Sequence, residues 1–366
     1  MADGGGRRLT LRDVAVELGV SAKTVSNAYI HPDQLSSDLR ERILATATRL
    51  GYSGPDPVAS GLRRGRVGAI GVLYANRLSY AFDDPTTSSL LAGITTTAES
   101  AGAGLLLLPG SAEAGRRAAA VSSALVDGII ASSLDEEDPL LPLVLARRLP
   151  LVVIDQPGRR ALAGLGAAET PWVGIDDRAA AVRAAEHLLR LGHRRLGVVS
   201  FALSLRPTPG FADEQAQAAA TLAVTRRRLA GYREAALRYG VDWSRVPVAQ
   251  GTDSTPEEGE RGAAAVLARH PRPTALICLS DRLAEGAWAA ASRLGLRIPG
   301  DLSVVGFDDA QPTAATLGLT TVHQPSREKG EYAAAALLQQ LAGERPPSTR
   351  TLPTRLVVRG STCSPE

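Results

Sequence analysis

Residues 9–27 read Leu-Thr-Leu-Arg-Asp-Val-Ala-Val-Glu-Leu-Gly-Val-Ser-Ala-Lys-Thr-Val-Ser-Asn. The spacing predicts two short helices. Thr10 is placed to cap the first, over Leu11–Leu18, with Asp13 completing a box-like start. Leu11, Val14, Ala15 and Leu18 then share one apolar face. Gly19 stops that helix, and Ser21 caps a second that runs to about Tyr29 with Val25 and Ala28 turned inward. Two helices joined by Gly19-Val20-Ser21 form a helix-turn-helix, the motif whose second helix enters a DNA major groove. Ala22 and Lys23 are placed to meet base edges, with Thr24 beside them and Asn27 one turn on. Lys donates to guanine, Asn pairs bidentately with adenine, and Ala offers only an apolar contact, as to a thymine methyl. The hydroxyls of Thr10, Ser21, Ser26 and Ser36 are candidates for phosphate contacts, or for capping alone. A plain three-helix bundle with solvated charges is the alternative. The residues at the motif's packing positions, Ala15, Gly19, Val20 and Val25, favour the DNA-binding reading.

Working outward, Ser36 or Ser37 opens a third helix to Leu50, with Leu39, Ile43, Ala47 and Leu50 in register and Gly51 as its stop. Ser-Gly-Pro-Asp-Pro, residues 53–57, cannot continue it. Val58–Arg64 is long enough for a further turn or two. Beyond Val67 the texture changes. Short apolar runs, such as Gly68–Tyr74, Gly128–Ala131, Leu151–Ile154, Trp172–Ile175, Ala275–Leu279 and Leu302–Phe307, alternate with Ala- and Leu-rich helical stretches. That alternation predicts parallel sheets covered by helices, in two stacked α/β subdomains. Residues 202–225 are predicted to be a surface loop and a helix start. The organisation expected is a head over 9–57, a linker over 58–66 and a two-lobed body over 67–360, with crossovers near 155–172 and 310–325 and a late return.

The chain of 366 residues is 44% hydrophobic and 22% charged, enough apolar material for sizeable cores. Aromatics are only 4%, so Ala, Leu and Val must build those cores. The net charge of +3 is unevenly spread: residues 1–66 hold ten Lys/Arg against seven Asp/Glu, and the remainder is balanced. An excess confined to the helix-turn-helix end points to a polyanionic partner. Two cysteines, Cys278 and Cys363, exclude a disulfide framework and a multi-cysteine zinc site. No signal peptide and no run of about 18 apolar residues is visible, so a cytoplasmic location is expected and a membrane partner is not.

The motifs resemble the lactose-repressor (LacI/GalR) family of transcriptional regulators. The carriers are Thr10 to Asn27, then Leu50-Gly51-Tyr52, Val126-Asp127-Gly128-Ile129-Ile130, Leu191-Gly192-His193-Arg194-Arg195-Leu196-Gly197, Ser280-Asp281 and Leu302-Ser303-Val304-Val305-Gly306-Phe307-Asp308-Asp309. The resemblance implies an all-α helix-turn-helix DNA-binding head plus an α/β two-lobed, periplasmic-binding-protein-like effector domain. It also implies that residues 58–66 form a hinge helix on DNA, with Leu62 as a minor-groove wedge and Arg63 among the phosphate contacts. Residues 52–58 are one residue longer than the family pattern, and Gly61 disfavours helix there by about 1 kcal/mol relative to Ala.

For the body, the resemblance places a small-molecule effector, a sugar or sugar derivative, between the lobes. Ligands of such sheets bind beyond the carboxyl ends of strands. Asp155, Ser280, Asp281, Asp308 and Gln324 stand at such ends, and Arg228 stands where the family grips its effector. A guanidinium fork suits vicinal hydroxyls or a carboxylate, and carboxylates accept from sugar hydroxyls. Asp281 has the rival role of a helix cap. The chain lacks an aromatic at 252–255 and carries Ser326 where some members carry phenylalanine, leaving Trp172 and Phe82 as stacking candidates. A homodimer on a pseudo-palindromic operator is expected, since no C-terminal leucine heptad is present for a tetramer. No cofactor or metal is expected and the chain is read as a non-enzyme: the five histidines lack metal spacing, and neither a G-x-S-x-G elbow nor a P-loop occurs. The rival classes are a solute-binding protein of a transport system and, least favoured, a carbohydrate-active enzyme using paired aspartates.

Overall fold

A computed structural model describes residues 9–54, 66–110 and 114–366. They fall into two compact units that divide at Gly68. Leu62 and Arg63, and the expected hinge around them, lie outside the described residues.

The first unit is three helices: α1 (Leu11–Leu18), α2 (Ala22–Ile30) and α3 (Ser37–Leu50). Val14, Val25 and Ile43 are fully buried where the three meet. Gly19 and Gly51 adopt the left-handed conformation that ends a helix, with φ of 66° and 77°. Tyr29 and Tyr52 pack edge to face at 6.2 Å, fastening the segment after α3 to α2.

The second unit is two α/β lobes. The first lobe contains β1 (Ala69–Tyr74), α4 (Leu78–Asp83), α5 (Pro85–Ser100), β2 (Gly104–Pro109), α6 (Ala114–Ser123), β3 (Gly128–Ser132), α7 (Leu140–Ala146), β4 (Leu151–Ile154), α8 (Arg159–Gly164) and β5 (Trp172–Ile175). The chain then crosses into the second lobe, with α9 (Asp177–Arg190), β6 (Leu196–Ser200), β7 (Gly210–Phe211), α10 (Glu214–Ala218), α11 (Ala223–Arg238), β8 (Val248–Gln250), α12 (Pro256–Leu267), β9 (Ala275–Cys278), α13 (Asp281–Arg293), β10 (Ser303–Asp308), α14 (Thr313–Thr316) and β11 (Thr320–His323). It returns for α15 (Ser326–Leu341) and β12 (Thr349–Leu352), and crosses once more to β13 (Arg355–Val357). The sheet orders are β12-β5-β4-β3-β1-β2, all parallel, and β13-β11-β10-β9-β6-β8-β7, with antiparallel strands only at its edges.

Three features correct the reading from sequence. The first crossing follows β5, at residues 175–177, not 155–172, because β5 stays in the first sheet beside β4. Residues 320–323 are a strand rather than part of a crossover, paired with β10 on one side and β13 on the other. The segment 202–225 is not a simple loop: Ala212 N bonds the Val248 carbonyl at 2.9 Å, and Asp213 caps α10.

Few aromatics are available to fill gaps, and the long helices approach one another through glycine instead. A Cβ added to Gly330 of α15 would collide with the Leu90 carbonyl of α5, and one added to Gly93 would collide with the Arg327 carbonyl. Gly259 and Gly286 make the same close contact between α12 and α13. Gly330→Ala is therefore expected to destabilise the second unit by about 1–3 kcal/mol. Gly115→Ala, on an open helix face of the same lobe, is expected to gain up to about 1 kcal/mol. Thermal unfolding of the two variants checks this, and equal shifts would refute the close-packing account.

Candidate functional site

In the first unit the Asp13 carboxylate accepts from Thr10 N at 2.8 Å and from Thr10 Oγ1 at 2.7 Å. The Ser21 hydroxyl accepts from Thr24 N at 3.0 Å. Both polar caps pre-form the helix starts. Lys23 is exposed at the first turn of α2, while Ala22 is half-buried against its own core. Asn27 donates to Gln34 Oε1 at 3.0 Å, so its amide is engaged within the unit. Ser26 is half-buried, and Ser36 begins α3 without a side-chain cap bond.

In the second unit a cavity of about 390 Å3 lies between the lobes. It is walled by the carboxyl ends of strands, as parallel α/β sheets dictate. Asp155, Arg228, Ser280, Asp308 and Gln324 all line it. Ser133, Asp155 and Asp308, which follow or end β3, β4 and β10, have φ of 62°, 59° and 118°. Each is a left-handed backbone that a non-glycine residue adopts at a cost on the order of 1–3 kcal/mol. Strain is thus concentrated at the strand ends that face the cavity.

Arg228 is buried on α11. Its Nε donates to Asp177 Oδ1 at 2.9 Å and its Nη1 to the Leu279 carbonyl at 2.6 Å. Its guanidinium lies 3.5 Å from the Phe307 ring centroid, and Nη1 is 3.7 Å from Asp308 Oδ1. Opposite, Lys329 of α15 is also buried; Nζ donates to Asp155 Oδ2 at 2.6 Å and to Gln324 Oε1 at 2.7 Å. Gln324 Nε2 donates to Asp308 Oδ1 at 2.5 Å. A continuous polar chain therefore joins Asp155 of the first lobe to Arg228 of the second. On the rim, Asn76 bonds Asp253 at 2.9 Å, Tyr80 the Ser254 carbonyl at 2.8 Å, and Gln156 the Val224 amide at 3.0 Å, each from lobe to lobe.

One predicted ligand residue is placed elsewhere. Asp281 is fully buried and does not line the cavity; its carboxylate accepts from Ala310 N at 2.7 Å and Thr321 Oγ1 at 2.6 Å, pinning α13 to the β10 and β11 ends. Ser280, not Asp281, caps α13. The stacking candidates also fall outside: Trp172 is core and Phe82 faces solvent, while Tyr74, Tyr80 and Phe201 supply the aromatic lining. Lys329 and Asp177 are functional neighbours that reading the sequence overlooked. The available signal was a charge on an apolar stripe, since Lys329 precedes Ala333, Ala336 and Leu337 on the buried face of α15.

Burial raises the Asp308 carboxyl to about 7, with Arg228 opposing the shift. Between about pH 4 and 7 the folded chain then holds a proton that the unfolded chain has released. The stability of wild type relative to Asp308→Asn is expected to fall as pH rises through that window and to level off above it. Thermal melts of both proteins from pH 4 to 8 test this; a difference that is constant or grows with pH would show Asp308 ionised beside Arg228.

Comparison with known proteins agrees with both units. Residues 10–54 match the family model of bacterial regulatory proteins, lacI family, and residues 185–362 match a periplasmic binding protein-like domain. An HTH-type transcriptional regulator of Mycobacterium tuberculosis is 43% identical over 98% of each chain. The solved complex of the transcriptional regulator CelR with cellobiose superposes with a TM-score of 0.69 at 27% identity, covering 97% of this chain and all of that one. The lac repressor dimer bound to operator and an anti-inducer superposes at 0.74 and 25% identity, covering 98% of this chain and all of the repressor chain. Among the described residues no helix is long and apolar enough to cross a membrane. The chain belongs to the lacI family and is a transcriptional regulator with a helix-turn-helix head and a two-lobed, periplasmic-binding-protein-like body.

Proposed function

We propose that this regulator is a repressor whose operator affinity is set by a carbohydrate effector held in the cavity between the lobes. One observation carries the reading: the same chain presents Lys23 to solvent on the second helix of a capped helix-turn-helix and holds a cavity walled by carboxylates, hydroxyls and a buried guanidinium. The binding of cellobiose by CelR and of operator by the lac repressor dimer supports it. Lys23, Ala22 and Asn27 read bases, with Asn27 exchanging its Gln34 partner for DNA. Thr10, Ser21, Thr24, Ser26 and Ser36 meet phosphates. Asp155, Arg228, Ser280, Asp308 and Gln324, joined by Lys329, hold sugar hydroxyls. The protein acts in the cytoplasm as a homodimer, two heads reading the halves of a pseudo-palindrome. A ligand that grips both lobes changes their angle, and by linkage operator DNA changes ligand affinity by the same factor.

Lys23→Ala is expected to weaken binding to the preferred operator by about 1–3 kcal/mol while changing random-sequence affinity little. Gel-shift titrations with both duplexes measure it, and an equal loss on both would make Lys23 a phosphate contact instead. Arg228→Lys, which keeps a cation beside the buried Asp177 but removes the guanidinium fork, is expected to weaken sharply the thermal shift given by cellobiose or another sugar that stabilises wild type, and to spare ligand-free operator binding. Loss of operator binding as well would mean that the substitution unfolds the body and that Arg228 is structural.

A further inference from the structure

The second lobe carries another hollow, of about 950 Å3, at the opposite end of its sheet. It opens beside Leu196 and Val248, the first residues of β6 and β8, whereas the effector cavity is lined by Phe201 and Thr252, which follow those strands. Arg194, Arg195, Arg245 and Arg269 line the hollow. Asp213 and Asp242 also line it, but both are committed to caps: Asp213 accepts from Ala216 N at 2.8 Å, and Asp242 from Ser244 N at 3.1 Å and Ser244 Oγ at 2.7 Å. Arg245 reaches Asp242 at 3.4 Å. Among the described residues Arg194, Arg195 and Arg269 have no carboxylate partner. Arg194 donates only to the carbonyls of Leu189 and His193, at 2.8 and 2.9 Å. Arg269 lies 4.0 Å over the ring of Phe211, which is 44% exposed.

This excess is local, because the chain beyond residue 66 is charge-balanced. Guanidinium forks match phosphate oxygens bidentately and stack on rings. A recess of this size suits a small molecule. We propose that the hollow is a second ligand site, taking a phosphate-bearing small molecule whose phosphates meet Arg195 and Arg269. The segment that walls it is the one that reaches the effector cavity. Ser204, Leu205 and Pro207 line the first site, and Phe211, Ala212 and Asp213 line the second. Occupancy of either is therefore felt within a few residues of the other.

Titration calorimetry of the full chain with inorganic pyrophosphate and with ATP, at physiological salt, tests the assignment. Saturable binding is expected, weakened at least about tenfold by Arg195→Ser with Arg269→Ser, both exposed positions, at unchanged thermal stability. Lys23→Ser on the DNA-binding head is expected to leave it unchanged. Equal affinity for the two probes would mean that phosphate alone is read, and tighter ATP that Phe211 also takes a ring. Bound probe is expected to slow amide exchange at residues 210–213. Absence of saturable binding, retention of binding in the arginine variant, loss in the Lys23 variant, or unchanged exchange at 210–213 would each overturn the proposal.

Discussion

The body is organised around a guanidinium taken out of water. Removing an ion such as that of Arg228 from solvent costs several kcal/mol unless carboxylates and other acceptors meet it with good geometry. Asp177 opens α9, Leu279 follows β9, Phe307 and Asp308 end β10, and all four converge on this one side chain. Satisfying the charge thus fixes where three elements of the second lobe begin or end, and Asp308 and Ser280 at two of those ends line the cavity. Lys329 performs the same service from the first lobe. Gln324, at the second crossing, touches both systems through Lys329 and Asp308. The two lobes are thereby joined through one continuous set of polar contacts.

Packing imposes a second constraint. A chain so poor in aromatic residues cannot bridge wide gaps between helices, and it closes them by bringing backbones together at Gly93 with Gly330 and at Gly259 with Gly286. The scarce large side chains are spent where a single ring does specific work. Phe307 lies under Arg228, Trp243 donates to the buried Gln217 at 2.9 Å, and Tyr80 bridges the cleft rim. The C-terminal residues add a polar clamp. Ser361 bonds Thr320 N and the Val304 carbonyl, and His193 donates from Nε2 to the Cys363 carbonyl at 2.9 Å. They hold the end of the chain against the second lobe, beside the last crossing.

The two units differ in how their chemistry is held. Polar caps at Thr10 and Ser21 use residues three positions away, so the helix-turn-helix is a local construction. The cavity is a non-local one, with Lys329 and Asp155 separated by 174 positions and Arg228 and Asp177 by 51. Backbone strain at Asp155 and Asp308 is maintained by this surrounding network, which holds both carboxylates.

That difference in range explains what could be read in advance. Caps, apolar periodicity and glycine stops act over one or two turns, so α1, α2 and α3, the central strands of both sheets, and the polar strand ends at Asp155 and Asp308 were legible in the residues themselves, whereas β11, which ends just before Gln324, was not. Side-chain direction was not. Asp281 sits at a strand end like the others, yet turns into the core because Ala310 N and Thr321 Oγ1 offer it bonds there. Lys329 was hidden inside a helical stripe, and the place of β5 in the first sheet depended on its pairing with β4 and β12. Periodicity and capping are properties of neighbouring residues and belong to the sequence. Which buried charge meets which partner is decided only when elements distant in the chain are packed together.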